Sequence, residues 1–184
     1  MKVDIAAAPL PSEILRRIRI FAHLNEAECR QLTDVSAIVY YEPGETIVRQ
    51  GQTSQYLWIV LDGTCEVVKQ LRPDVASEEL VLAVLEPYNN FGEMSFFHVA
   101  PHSANVRAKT AVRLLRVERC DFDELIEEGS WAAYKLAFNA VESLAERLRK
   151  MDDWVARLVA ESDDGQRVAE WTRFRDKLFS EWSL

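Results

Sequence analysis

From residue 37 to 118 the sequence is divided into short apolar runs rich in β-branched side chains: SAIVYY, ETIVRQ, YLWIVL, CEVVKQ, ELVLAVL, ANVRA and VRLLRV. Runs this short cannot make helices that bury a face, and valine, isoleucine and tyrosine pack well on a pleated surface, so each reads as a strand. The gaps carry turn chemistry: Gly44 in EPGE, Gly51 in RQGQ, Asp62-Gly63 in LDGT, and EPYNN ahead of Phe91. Seven or eight such strands in roughly eighty residues predict a mainly β fold, an antiparallel β-roll or jelly roll closed to limit its exposed edges. Asp62-Gly63 predicts a hairpin, and RPDVAS at 72–77 a longer polar hairpin loop.

Helical patterns flank this block. Residues 1–36 form a helical preface, in which PSEILRRIRIF opens on Pro and Ser and NEAECRQLTDVS places Asn25 and Glu28 at capping-box spacing. The β-roll region, 37–129, ends in DFDELIEEG, where Asp121 and Glu124 repeat that spacing and Gly129 stops the helix. A long helix over 130–160 carries the stripe Tyr134, Ala137, Val141, Leu144, Leu148, Met151, Val155 and Leu158, stepping alternately three and four residues. That heptad seam predicts a parallel homodimer, with Arg147 and Asp152 spaced for an interchain ion pair; the competing use of the stripe is packing on the chain's own sheet. Residues 161–184 begin with the breaker ESDDGQ and continue as an amphipathic aromatic helix with Val168, Trp171, Phe174, Leu178 and Trp182 on one stripe. So heavy an apolar load needs a cover, either as a lid on the β-roll or as a helix docked in a protein partner's groove.

A chain of 184 residues holds one core and a helical extension. Its net charge of −8 disfavours the phosphate backbone of nucleic acid as a direct partner. Cys29, Cys65 and Cys120 are an odd, widely spaced set without a CxxC pair, so neither a disulfide framework nor a zinc site is expected, and all three read as small buried hydrophobes. MKVDIAAAPLPSE is no signal peptide, and no window reaches about 18 apolar residues, so no membrane insertion and a cytoplasmic location are expected.

The most specific stretch is FGEMSFFHVAPHSANVRAKT, residues 91–110. With the order of parts around it, from about residue 21 to 158, it resembles the cyclic nucleotide-binding domain, and HSANVRAKT is similar to the RSAxVRAKT strand of the bacterial catabolite activators. The resemblance implies that Phe91, Gly92, Glu93, Met94 and Ser95 form a phosphate-binding cassette whose short helix turns backbone N–H groups towards a cyclic phosphate. It further implies that Glu93 accepts the ribose 2′-hydroxyl, that Gly92 lets the backbone approach the ligand, and that Ser103, beside Ala104, helps hold the phosphate.

At position 102 the resemblance implies an arginine, and this chain has His102. A neutral imidazole offers one donor and no permanent charge, so losing the guanidinium fork costs roughly a hundredfold or more in affinity. Below a pH of about 6.5 a protonated His102 would restore a charge, which gives an acid-dependent form. Asn89 and Asn90 are expected to take the left-handed turn where the family carries glycine, and Asn105 replaces the family's usual Thr or bulky residue. Among other cations, Arg107 should point to the opposite strand face, and Arg107, Arg49 and Arg147 are all expected to be solvated.

His23, His98 and His102 form no metal-ligand pair on a strand face, and neither a Ser-His-Asp order nor a phosphate-binding glycine motif occurs, so no metal, no cofactor and no catalysis are expected. One aromatic helix and a net charge of −8 are not expected to make a helix-turn-helix reader after the seam. The reading is a non-enzymatic, stand-alone regulatory homodimer that senses a cyclic nucleotide (cAMP-like) or related ligand and signals through its dimer helix and tail. The alternatives are a degenerate, ligand-free interaction scaffold and a cyclic dinucleotide sensor.

Overall fold

The computed structural model describes residues 2–4, 10–71, 79–160 and 169–174. Among them nine strands form two antiparallel sheets. One sheet has the order β1 (Lys2–Asp4), β2 (Ser36–Tyr41), β9 (Val112–Glu118), β4 (Tyr56–Asp62) and β7 (Asn90–Phe91). The other has the order β3 (Thr46–Val48), β8 (Asn105–Ala108), β5 (Cys65–Gln70) and β6 (Glu79–Leu85). Helices α1 (Ser12–Leu15), α2 (Glu26–Asp34), α3 (Glu93–Phe97), α4 (Arg119–Glu127) and α5 (Trp131–Ala160) complete the described elements, with a 3-10 turn at Arg19–Phe21. The chain divides into two compact units, Met1–Ala140 and Val141–Leu184, so the boundary falls within α5.

The texture of β4 explains the layering of the first unit. YLWIVL is continuously apolar because both faces of its sheet are covered. Leu57, Ile59 and Leu61 join one core cluster with Leu32 of α2, Phe96 of α3, Phe122 and Leu125 of α4 and Leu136 of α5. Trp58 and Val60 face the other way, into a second cluster with Cys65, Val106 and Ala108 of the opposite sheet. β9 divides in the same manner, with Leu115 and Val117 towards the helices and Val112 and Leu114 between the sheets. β6 is an edge strand, and edge position leaves Leu80, Val81, Leu82 and Val84 exposed.

Several local expectations change. Asp62-Gly63 makes a tight turn but no hairpin: β4 and β5 lie in different sheets, and the turn carries the chain across the corner of the roll. Gly63 has φ +78°, and a Cβ there would lie 2.2 Å from the Ala111 carbonyl oxygen, so compactness rather than strand pairing selects glycine. The preface contains strand β1 paired with β2, and PSEILRRIRIF yields only one short helix and a 3-10 turn. The Asn25–Glu28 capping box forms with both reciprocal hydrogen bonds. α4 instead starts at Arg119 without a side-chain cap, placing Asp121 inside its first turn, and Gly129 closes it at φ +73°. Cys29 and Cys65 are buried as expected, whereas Cys120 is exposed because it sits on the outward side of α4. RPDVAS, ESDDGQ, Val168, Leu178 and Trp182 lie outside the described residues, and residues 169–174 are helical with the Trp171 and Phe174 rings 5.8 Å apart.

Candidate functional site

β7 sets the start of the site by pairing with β4, which lays the Phe91 ring over Trp58 with centroids 6.1 Å apart and planes 9° from parallel. The next residue, Gly92, turns left-handed at φ +84°, and a Cβ on it would meet the Tyr56 carbonyl oxygen at 2.5 Å. Conformation and space both exclude a side chain there. Gly92 caps α3, a short helix that carries Glu93, Ser95 and Phe96 inward and leaves Met94 62% exposed. Glu93 is only 2% exposed and accepts a 3.4 Å hydrogen bond from Asn90 Nδ2. A buried carboxylate needs such polar company, because desolvation of an ion is otherwise costly.

Phe96 fastens α3 to α4. Its ring packs edge-on against Phe97 at 5.0 Å and Phe122 at 5.2 Å, and its carbonyl accepts from Arg119 Nη1 at 2.8 Å. Arg119 in turn pairs with Asp123 at 2.7 Å. The sequence reading did not single out Arg119; its position as the first residue of α4, a helix that follows β9 without a gap, was the available signal.

His102 lies in the turn before β8 and is 8% exposed. Its backbone N–H donates to Gln52 and its carbonyl accepts from Gly51, both at 2.9 Å. The ring bridges two hydroxyls: Nε2 is 2.7 Å from Ser54 Oγ, and Nδ1 is 3.0 Å from Ser95 Oγ. A neutral imidazole has one donor and one acceptor nitrogen, and a serine hydroxyl can take either complementary role, so both nitrogens are satisfied without charge. Burial also pushes the His102 pKa below its ordinary value of 6.5. Protonation of His102 therefore falls at lower pH than the sequence suggests, since the isolated side chain gives no sign of its desolvation.

The remaining predicted residues are placed as follows. Ser103 is exposed, with its backbone carbonyl accepting from Lys69 Nζ, and Ala104 is buried next to it. Asn105 Oδ1 accepts from the Gln50 backbone N–H at 2.9 Å and so ties the end of β3 to β8. Arg107 is paired with Glu66 at 2.6 Å and lies 3.6 Å from Glu79, rather than being merely solvated. Arg49 and Arg147 are exposed. The left-handed turn before Phe91 falls on Tyr88, at φ +74°, and not on Asn89 or Asn90. Tyr88 holds this conformation with the Arg17 guanidinium 4.3 Å from its ring centre, while Asn89 Oδ1 accepts from the Glu86 N–H.

On α5, Val141, Leu148, Met151 and Leu158 are exposed, and Leu144 and Val155 are half-buried. Tyr134 is exposed as well, but Ala137 packs against the helix-side core of the first unit. Trp131, Phe138 and Trp154 also present exposed rings, which the seam as read from heptad spacing omits. Among the described residues one group of three candidate metal ligands comes together, Glu118, Cys120 and Asp121, and it includes none of the histidines. No described helix is long and apolar enough to cross a membrane.

A β-roll whose glycine-led short helix is hydrogen-bonded to the turn into the next strand is the fold of a known class of ligand-binding domain. Residues 38–129 match the cyclic nucleotide-binding domain family, and the chain belongs to it. It is 28% identical over 125 residues to the cAMP-dependent protein kinase regulatory subunit of Dictyostelium discoideum, a match that covers 68% of this chain and 38% of that protein. Among solved structures it is similar to the Thermus thermophilus catabolite activator protein, at 28% identity and a TM-score of 0.67, over 76% of this chain and 62% of that one. A cyclic nucleotide-binding domain from Methylobacillus flagellatus shares the fold at 21% identity and a TM-score of 0.67, over 79% and 80% of the two chains.

The His102 environment has a measurable consequence. With its pKa depressed in the folded state, the unfolded chain takes up the proton first, so the stability this group contributes is complete above about pH 6.5 and is lost as pH falls below it. Urea unfolding at pH 7.5 and 5.5 should show a larger loss for the wild type than for His102→Gln, whose amide keeps a donor and an acceptor but cannot titrate. Equal losses would mean that His102 is not held neutral by burial.

Proposed function

We propose that this domain is a non-enzymatic regulatory module that binds a cyclic nucleotide of the cAMP type at the Gly92–Ser95 and Ser103 turns and signals through α4 and α5. The observation that carries the reading is the Gly92–Glu93 geometry: a glycine with no room for a side chain, opening a helix that buries a carboxylate. In this reading Glu93 accepts the ribose hydroxyl, and the backbone beside Met94, Ser95, Ser103 and Ala104 lies against the phosphate. His102 acts indirectly, as the uncharged bridge that sets the distance between the Ser54 turn and α3.

The route outward is mechanical. Ligand at the cassette biases the position of α3; Phe96 transmits it to Phe122 and, through its carbonyl, to Arg119. α4 and the first turns of α5 share one core through Phe122, Leu125 and Leu136, so a shift of α3 changes the population of α5 positions. The exposed stripe Val141, Leu148, Met151 and Leu158 is the output surface, covered by a second copy in a parallel homodimer. Arg147 and Asp152 then pair between chains, worth little energy but setting register.

Calorimetric titration of the full chain with cyclic AMP at pH 7.5 is expected to give saturable binding, about a hundredfold weaker than a guanidinium at position 102 would give. Replacing His102 with arginine would not by itself test this, because it removes the bridge to Ser54 and Ser95. Absence of heat with millimolar cyclic AMP, cyclic GMP and a cyclic dinucleotide overturns the reading and leaves a ligand-free interaction domain, which the engagement of both His102 nitrogens would then explain. Separately, light scattering should give the mass of a dimer for the wild type and of a monomer for a Leu144→Asp, Leu148→Asp double variant; a monomeric wild type contradicts the assigned seam.

A further inference from the structure

The positive charge missing from position 102 has a candidate replacement on a different strand. In the β5–β8 pair, Cys65 lies opposite Ala108 and Val67 opposite Val106. Cys65, Ala108 and Val106 belong to the core between the sheets, with Val67 packed against it. Glu66 lies opposite Arg107 and Val68 opposite Asn105, and these alternate residues face the other side, where Glu66 binds Arg107. The irregularity between Val67 and Val68 is in the pairing with β6, where the partners step from Ala83 to Val81 and Leu82 is the extra residue; the pairing with β8 runs on without a break. Strand alternation therefore turns Lys69, two residues after Val67, to the same inner side as Cys65 and Val67.

The Lys69 side chain donates from Nζ to the Ser103 carbonyl, at the turn between His102 and β8. Its other polar options are open: an ammonium carries three donors, and this bond occupies one of them. No carboxylate among the described residues lies within ion-pair distance of Lys69, in contrast to Arg107 with Glu66 and Arg119 with Asp123. A half-buried cation without a carboxylate partner among the described residues, turned by strand alternation to the inner side and anchored to one carbonyl, is an electrostatic arrangement that an anion completes.

We infer that Lys69 supplies the positive charge that holds the phosphate of the bound nucleotide at the Ser103 turn. The inference rests on the cyclic nucleotide reading above and adds to it the residue that selects for the anionic group. As a hydrated point charge without a planar fork, Lys69 gives a grip that is weaker and more sensitive to salt than a guanidinium.

The test is calorimetric titration of the full chain, as wild type, Lys69→Met and Lys69→Arg, with cyclic AMP and with adenosine, which lacks the phosphate, at pH 7.5. Lys69→Met is expected to weaken cyclic AMP about tenfold or more while leaving adenosine unchanged, and Lys69→Arg to stay near wild type. Methionine keeps the length of the stem on a partly exposed strand, and an unchanged Tm shows that the fold is intact. If wild type and Lys69→Met bind cyclic AMP equally, the Lys69 assignment falls and the cyclic nucleotide reading stands. Equal weakening of both ligands also overturns it, because the role is then structural. A wild type that binds neither ligand overturns both, since the charge at Lys69 would not suffice to hold an anion.

Discussion

An uncharged imidazole suspended between two serine hydroxyls organises the candidate site. His102, just ahead of β8, ties its own turn to the helix carrying Ser95, 7 positions back, and to the turn carrying Ser54, 48 positions back. Its main chain also bonds to Gly51 and Gln52, so ring and backbone together fix the turn against its neighbours. Because each ring nitrogen faces a hydroxyl, the network is complete without a formal charge. A buried polar group is inexpensive only when satisfied in this way.

This arrangement separates two tasks that a single arginine would combine. A guanidinium both ties the cassette together and presents a charge to a phosphate; here the tie is made by His102, while the ammonium of Lys69 stands at the adjacent carbonyl. The separation has an electrostatic consequence. An anion bound as proposed would meet a single-point cation, whose field salt can screen. The contact between α3 and α4 does not involve His102: Phe96 makes it by ring packing on Phe122 and by its carbonyl bonded to Arg119.

Much of the β-roll was legible because strand-length apolar runs and turn glycines are local signals. β4 was recognisable as a strand, and its continuous apolar character forecast burial on both faces. The errors came where local chemistry is shared by different tertiary outcomes. Asp62-Gly63 marks a tight turn equally well in a hairpin and in a corner between sheets, and only long-range pairing distinguishes them. The left-handed residue fell on Tyr88 rather than Asn89, at a turn whose backbone pairs with Val60 of β4 and whose Tyr88 ring meets Arg17, contacts that no local signal encodes. Ala137 fits a heptad as well as it fits the intramolecular core it joins.

At the candidate site, the tight turn at Gly92 and the short helix after it were legible by pattern, and the hydrogen-bonded bridge made by His102 was not. Its neutrality depends on Ser54, which is 48 positions away, and on burial that no short motif encodes. Lys69 was within reach of a stricter reading, since alternation from Cys65 and Val67 turns it inward, but its closeness to Ser103 depends on the β5–β8 register. The protonation state of His102 is therefore the most direct test of the account. Nitrogen-15 NMR of the imidazole between pH 8 and about 5 should show one protonated and one bare ring nitrogen at neutral pH, with a midpoint below the ordinary 6.5. Two protonated nitrogens at pH 7, or a midpoint at or above that value, would make His102 a cation and contradict the account.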